Sequence, residues 1–399
     1  MAASTNDNKD NKNKLQYTYK ANITLGDITL DGISFLGLTE VYDYMGNLYP
    51  LKVLMININL LDTNSKMFMN LKNREVIVKM SLIRVETSLL PATDPEYTRK
   101  EYEVFSEKQF TGTVDEEFIP LTDLEVVSIK KNEDAPREDM MHMVRIHLKE
   151  QFLNPFVEDI FNMVTDSDTD LPSVVCAAFM KCAAPGLKLN MMTPNSTVKI
   201  PENTLIEPMG FLQLLEYLQK NYGMYYYGYT VFIQDDTVYI ISKEGFNNKN
   251  EADYIISTIP MTSVNNVNVG FNPAKDGNII TVDASKIGIT DVHNEYYNNY
   301  LTKIDEDGTV HNPLYKEKNV SLIVDNDNLV QSVYDNTNMK TKLRDFNAVC
   351  QNTYIDINPS TMFQIETPDM VFSKLSILGY HRVVSPIGSV VNLNLYQRT

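Results

Sequence analysis

Residues 207–242 read EPMGFLQLLEYLQKNYGMYYYGYTVFIQDDTVYIIS, and their reading decides the fold class. Phe211, Leu214, Leu215 and Leu218 recur at i, i+3, i+4 and i+7, which places them on one face of a helix. Pro208 suits a first helical turn and Gly223 a helix stop, so the spacing predicts a helix over 208–222. Residues 229–242 then give two β-rich runs broken by Gln234, Asp235 and Asp236, a hairpin pattern. Nothing in this module is chemically reactive, which suggests a protein that builds rather than catalyses.

Outward from this module the chain is mostly strand. Tyr17, Tyr19, Ala21, Ile23 and Leu25 alternate with polar residues, and 53–60, 76–85, 102–114, 124–129 and 141–148 continue in the same manner. Six short strands with turn-rich joints indicate a sheet closing into a barrel or sandwich over 15–150, with 90–99 as a long loop. The character changes over 151–253. Residues 154–163 and 172–184 read as helices ahead of the helix and hairpin, giving an α/β insert. Strand patterns return at 254–269 and 278–283, and 293–315 reads as a long loop. Residues 338–350 fit one more helix. The C-terminal part is β again, at 354–357, 361–365, 375–384 and 390–398, with 385–388 as a turn. Val391, Leu393 and Leu395 face one side there, and Asn392, Asn394 and Tyr396 the other.

The chain has 399 residues, enough for two or three domains, and 43% hydrophobic residues, enough for a core. Its formal net charge is −17, which argues against affinity for nucleic acid, because neutralising phosphates needs clustered Lys and Arg. Simple solubility accounts for such an excess, and so does a surface that DNA must pass without sticking. The three cysteines, Cys176, Cys182 and Cys350, make no disulfide framework and are read as core thiols of a protein made in a reducing compartment. Residues 1–14 are Asn, Asp and Lys without the apolar centre of a signal peptide, and are expected to be disordered. No apolar run reaches the length of a membrane-spanning helix, so the sequence predicts a soluble protein without membrane partners.

No catalytic, cofactor-binding or metal-binding pattern stands out in the sequence. His142 and His147 are five apart in a predicted strand and point to opposite faces, which does not suit a shared metal. His381, between Tyr380 and Arg382, reads as a strand residue at an interface or in a satisfied core site. The run Asp166, Asp168, Asp170 starts like a calcium loop, but Leu171 replaces the Gly and Ala177 the bidentate Glu, so Asp170 reads as a helix cap. The tyrosines Tyr222, Tyr225, Tyr226, Tyr227 and Tyr229 suit an inter-subunit contact or partial core, ahead of a sugar platform.

The order of elements resembles the central hub proteins of contractile phage tails and the related spike-base proteins of type VI secretion. The residues that carry the resemblance are the helix and hairpin within 211–242, and a closing pattern. That pattern is Thr367-Pro-Asp-Met-Val, then 375–383 with Tyr380 and His381, then the alternating strand 390–396. The resemblance covers most of 15–399. It implies an α+β, predominantly β chain: two tail-tube-like β-barrel domains, 15–150 and 254–399, with the α/β insert 151–253 between them and a helix near 338–350 feeding the second barrel. It implies a homotrimer that joins a six-fold tail tube to a three-fold spike around the DNA exit channel, with other baseplate proteins as neighbours, no cofactor, and a place in the virion after assembly in the host cytoplasm. Since the sequence ends at Thr399 with no fused needle, the spike is expected to be a separate chain. Tyr222, Tyr225, Tyr226, Tyr227, Tyr229, Tyr380 and His381 become candidate subunit or partner contacts. A tail-fibre or receptor-binding adaptor, and a particle-associated cell-wall hydrolase, are the other readings.

Overall fold

The computed structural model describes residues 16–30, 32–44, 47–59, 74–88, 90–114, 141–149, 155–156, 160–225, 228–242, 251–259, 279–283, 285, 287–292, 303–304, 310–311 and 343–398. The N-terminal part contains β1 (Gln16–Leu25), β2 (Ile28–Leu30), β3 (Phe35–Asp43), β4 (Leu51–Asn59), β5 (Glu75–Thr87), β6 (Arg99–Val114) and β7 (Met141–Lys149). The middle contains β8 (Phe161–Val164), β9 (Thr169–Asp170), α1 (Leu171–Cys182), β10 (Lys188–Met191), β11 (Lys199–Ile200), β12 (Leu205–Met209), α2 (Phe211–Tyr222), β13 (Tyr229–Gln234) and β14 (Thr237–Ser242). Then come β15 (Tyr254–Ile259), β16 (Ile279–Asp283), β17 (Ile287–Val292), the short pair β18 (Lys303–Ile304) and β19 (Val310–His311), β20 (Leu343–Gln351), β21 (Met362–Glu366), β22 (Val371–Ser385) and β23 (Gly388–Arg398).

Period-two patterning builds the large sheet. In β5, Val76, Val78, Met80 and Leu82 point inward while Glu75, Ile77 and Lys79 point out, the alternation a pleated strand imposes. One sheet of 14 strands results. It divides into two runs of equal strand number: β2-β1-β5-β6-β7-β4-β3, and β17-β20-β23-β22-β21-β15-β16, joined where β22 pairs with β3. The first run curls, because side chains of β1, β3, β4, β5, β6 and β7, among them Ile23, Leu38, Leu54, Val78, Phe110 and Val144, share one core.

The α+β, predominantly β class is as expected, but neither run is a closed barrel. Among the described residues no hydrogen-bonded ladder joins the outermost strands of either run, although β1 packs against β3 and β16 against β20. The second core is continuous with the middle of the chain. Phe211, Leu214, Leu215 and Leu218 of α2 and Val174, Val175 and Ala178 of α1 pack in one cluster with Phe346, Leu393 and Leu395.

The helix and hairpin form as the sequence implies, with one shift at the start. Gly223 ends α2 in the left-handed region at φ 58°, a conformation that costs glycine little. The helix begins at Phe211, three residues later than Pro208 implied. The N-cap is Gly210, whose N–H donates to Gln213 Oε1 at 3.2 Å. Pro208 sits instead in β12, inside the irregularity between Ile206 and Met209, where no ladder bond requires its missing N–H. Asp170 caps α1, accepting from Ser173 N–H at 2.8 Å.

Three elements differ from expectation. Of the helix predicted near 338–350, the described residues 343–350 lie in β20, in which buried Phe346, Ala348 and Cys350 alternate with half-buried or exposed residues, and pairing with β17 and β23 prevails over helical propensity. Of the helix predicted over 154–163, the described residues 155–156 and 160–163 are not helical, and 161–163 lie in β8, paired with β12. The strand predicted at 354–357 joins no ladder, because its neighbours' side chains take its carbonyls: Arg382 Nη1 donates to Ile355 O and Gln234 Nε2 to Ile357 O, both at 2.8 Å. The strand expected at 124–129 and most of the loop expected over 293–315 fall outside the described residues.

Cys182 and Cys350 are core thiols, but Cys176 lies on the exposed face of α1, which corrects the expectation for it. Burial pushes the Cys350 thiol up to about 12. In the folded protein a thiol reagent is therefore expected to modify Cys176 rapidly, and Cys182 and Cys350 only after denaturation. A colorimetric thiol count with and without denaturant checks this.

Candidate functional site: the seam between the two sheet runs

The two runs meet through β22, whose 15 residues serve three neighbours. Along one flank its first part pairs with β21, from Glu366↔Val371 to Met362↔Ser376, and its last part pairs with β3, from Gly379↔Asp43 to Val384↔Leu38. Along the other flank it pairs with β23. The change of partner coincides with a bulge between Ile377 and Gly379, and Tyr44 N–H donates to Leu378 O at 2.9 Å just there. A Cβ on Gly379 would lie 2.3 Å from Tyr42 O, so β3 can approach β22 only because this residue has no side chain.

Under this crossing the inner face holds charge. Arg382, Glu40 and Lys52 are register partners on β22, β3 and β4, and are only 5%, 8% and 3% exposed. Arg382 Nε donates to Glu40 Oε2 at 2.5 Å, and its Nη2 pairs with the same oxygen. The guanidinium also lies 4.1 Å from the Tyr354 ring centre, a cation–π distance. Lys52 Nζ stands over the Phe110 ring at 5.6 Å and the Tyr42 ring at 6.0 Å. Burial works against ionisation of Glu40, but Arg382 and then Lys52 outweigh it and hold the carboxyl below its usual range. Burial likewise opposes the Arg382 charge, yet Glu40 keeps the guanidinium firmly protonated.

Aromatic rings tie this seam to the helix and hairpin. Tyr42 stacks on Tyr380 at 4.7 Å, and Tyr44 meets Phe232 of β13 at the same separation. Thr230 Oγ1 donates to Tyr44 O, Ile233 N–H donates to Leu48 O at 2.8 Å, and Lys108 of β6 pairs with Asp235 at the hairpin turn. The helix and hairpin thus sit against both runs.

The candidate contact residues divide. Tyr222, Tyr225 and Tyr380 are 6%, 0% and 2% exposed, so they are spent inside the chain's own core and offer no surface. Tyr225 hydrogen-bonds through its OH to Met192 O. Burial pushes the phenols of Tyr222, Tyr225, Tyr229 and Tyr380 above their usual range. Tyr229 is half-buried and His381 exposed, and Tyr226 and Tyr227 lie outside the described residues. His142 and His147 both lie in β7. Asp170 is committed to its helix, and among the described residues no group of three His, Cys, Asp or Glu could hold a metal ion. No helix among them is long and apolar enough to cross a membrane.

The sequence reading missed the buried triad. Its signal was present: Glu40 is in phase with Leu38 and Tyr42, Lys52 with Leu54 and Ile56, and Arg382 with Tyr380 and Val384, all buried. A charge in phase with the core announces a buried partner. Which strands carry that partner needs the register.

No family model and no curated protein matches the chain. Among solved structures, it is similar to a 43 kDa tail protein of prophage MuSo2 from Shewanella oneidensis, at 10% identity and a TM-score of 0.43, covering 95% of this chain and 96% of that one. It is also similar to the E. coli c3393 protein, a type VI secretion component described as structurally similar to the T4 bacteriophage tail proteins gp27 and gp5, at 7% identity and a TM-score of 0.38, covering 94% of this chain and 76% of that one. At these overlaps neither likeness carries a function to this chain.

Proposed function

We propose that the chain is a structural protein of a phage tail or related contractile injection machine, and that three copies form the central hub of its baseplate. The observation that supports this reading most is the pairing of two runs of equal strand number within one chain. Three such chains around an axis offer six runs, so the ring can meet a six-fold tube on one face and a three-fold spike on the other. Residues 15–150 and 254–399 are then the two tube-like units, with 151–253 as the insert between them. The partners are the tube protein, the spike and other baseplate proteins, in the virion after assembly in the host cytoplasm. The excess of carboxylates behind the −17 charge keeps the passing duplex from adhering to the channel wall. The role is architectural and not enzymatic. Tyr226, Tyr227, Tyr229 and His381 are the subunit or partner contacts in this reading.

The mass of the purified protein in native buffer tests the proposal. Three times the chain mass of 45.6 kDa is expected. A stable monomer with cell-wall hydrolase activity would contradict the hub reading, and localisation to the periphery of the particle would favour a fibre adaptor.

A further inference from the structure

The outward face of the seam is apolar where the pleat turns it away from the core. Two adjoining rows of register partners cross four strands there. One runs Val53 of β4, Thr39 of β3, Val383 of β22 and Val390 of β23, and the other Leu51, Val41, His381 and Asn392 on the same strands. Leu51 is 53% and Val390 38% exposed, and Val41, Val53 and Val383 are half-buried. Asp, Glu, Lys and Arg make up 22% of the chain, yet none of these eight positions holds one. The outward side of β5 differs, since Glu75 and Lys79 flank Ile77 there. Strands about 4.8 Å apart and rows about 7 Å apart make the block roughly 250 Å². That suits the dehydrated centre of a standard interface, whose whole face covers about 800 Å² per partner. A second apolar face lies on another sheet. Val164 of β8 and Leu205 of β12 are cross-strand partners, 61% and 60% exposed, and Ile160 just ahead of β8 is 56% exposed. Phe161 and Ile206 of the same two strands are buried in the core. Residues 163–165 and 203–206, around the exposed pair, carry no charge.

We infer that these two faces are the two halves of one contact between copies of this chain, the seam block of one copy seating the β8–β12 ribbon of the next. The inference rests on the hub reading and names its subunit interface. Copies related by a three-fold axis meet head to tail, so each chain must offer two unlike faces, and the ring closes when one fits the other. Charge selects the same occupant. Every copy carries −17, so copies repel wherever carboxylates face one another, and they approach best through surfaces that hold none. Met370 and Val371 are also exposed, but Asp369 and Lys374 stand beside them in the chain. Both proposed faces are sheet surfaces, which pack on one another at a spacing of about 10 Å. Because the block straddles the β22–β3 ladder, the neighbour's ribbon braces the junction of the two runs.

Cysteine pairing in the full-length protein tests this. In a Cys176→Ser background, Leu51→Cys and Leu205→Cys are made singly and together, and each protein is treated with a short bismaleimide. Both sites are more than half exposed, so the fold is retained, as the thermal midpoint will show. The double variant is expected to give covalent dimers and trimers and nothing larger, while each single variant runs as a monomer on denaturing gels. Val390→Glu places a carboxylate in the block and should weaken assembly roughly tenfold or more. Ile77→Glu, outside both faces, should leave assembly unchanged. Cross-linking of either single variant to itself, no cross-linking of the double variant in an assembly with the native mass of three chains, or equal effects of the two Glu substitutions would overturn the inference and leave the hub reading standing. A native mass of one chain would overturn both.

Discussion

Gly379→Ala is expected to be among the most damaging single substitutions in this chain. The added methyl would stand 2.3 Å from Tyr42 O and 3.3 Å from Asp43 Cα, and both obstacles are backbone. No rotamer change relieves such a contact, so β3 must move away from β22. The ladder from Gly379↔Asp43 to Val384↔Leu38 is what joins the two sheet runs, and the Tyr42–Tyr380 stack sits directly on it. The expected cost is roughly 3 kcal/mol or more, at the upper end of overpacking effects. Chemical denaturation followed by far-ultraviolet circular dichroism would read it. Gly288→Ala is the matched comparison, since its Cβ would meet Asn347 Cβ at an ordinary 3.8 Å, and it should shift the midpoint little. Equal, small effects at both glycines would mean that the bulge between Ile377 and Gly379 absorbs the strain.

The second large effect belongs to the buried charges. Glu40→Met leaves Arg382 and Lys52 as two cations in the interior with no anion between them. Removing one partner of a buried pair typically costs about 3–5 kcal/mol, because the survivor is neither solvated nor paired. Arg382→Met should cost less, since Glu40 keeps Lys52 beside it. Replacing all three by Met should recover most of the loss, because a well-packed apolar set of similar volume is often as stable as the ions it replaces. The pH dependence has a definite sign. Burial pushes the Glu40 carboxyl up, but Arg382 and Lys52 prevail and its folded value lies below the ordinary 4.5. Its contribution is therefore fully present above that ordinary value and is lost as pH falls through the lower folded one. The stability gap between the wild type and Glu40→Met should shrink across that acid window, measured as paired denaturation midpoints. A gap that stays constant would contradict an ionised Glu40.

Much of this architecture was legible in the residues, and the limits have physical causes. The α2 periodicity, its glycine stop and the β13–β14 hairpin are local signals, and local signals survived tertiary context. Residues 343–350 open on Leu343 and Arg344, which carry good helix propensity, whereas the deciding alternation of Phe346, Ala348 and Cys350 acquires meaning only between β17 and β23. Residues 354–357 show true β alternation, yet their carbonyls are claimed by Arg382 and Gln234. The tyrosine-rich stretch 222–229 suits an inter-subunit contact or partial core by composition. Burial of Tyr222 and Tyr225 resolves those two as core. The seam itself was not legible at all. It depends on β22 exchanging β21 for β3 midway along its length, and nothing in Leu378-Gly379-Tyr380 announces that exchange before the register is known.

The hub reading rests on two like sheet runs per chain, arranged three-fold. Electron-microscopic averages of the purified assembly viewed down its axis test that most directly. The account predicts a ring of three chains that presents six similar lobes around an open centre. A single two-lobed particle, or a ring without a central opening, would contradict it.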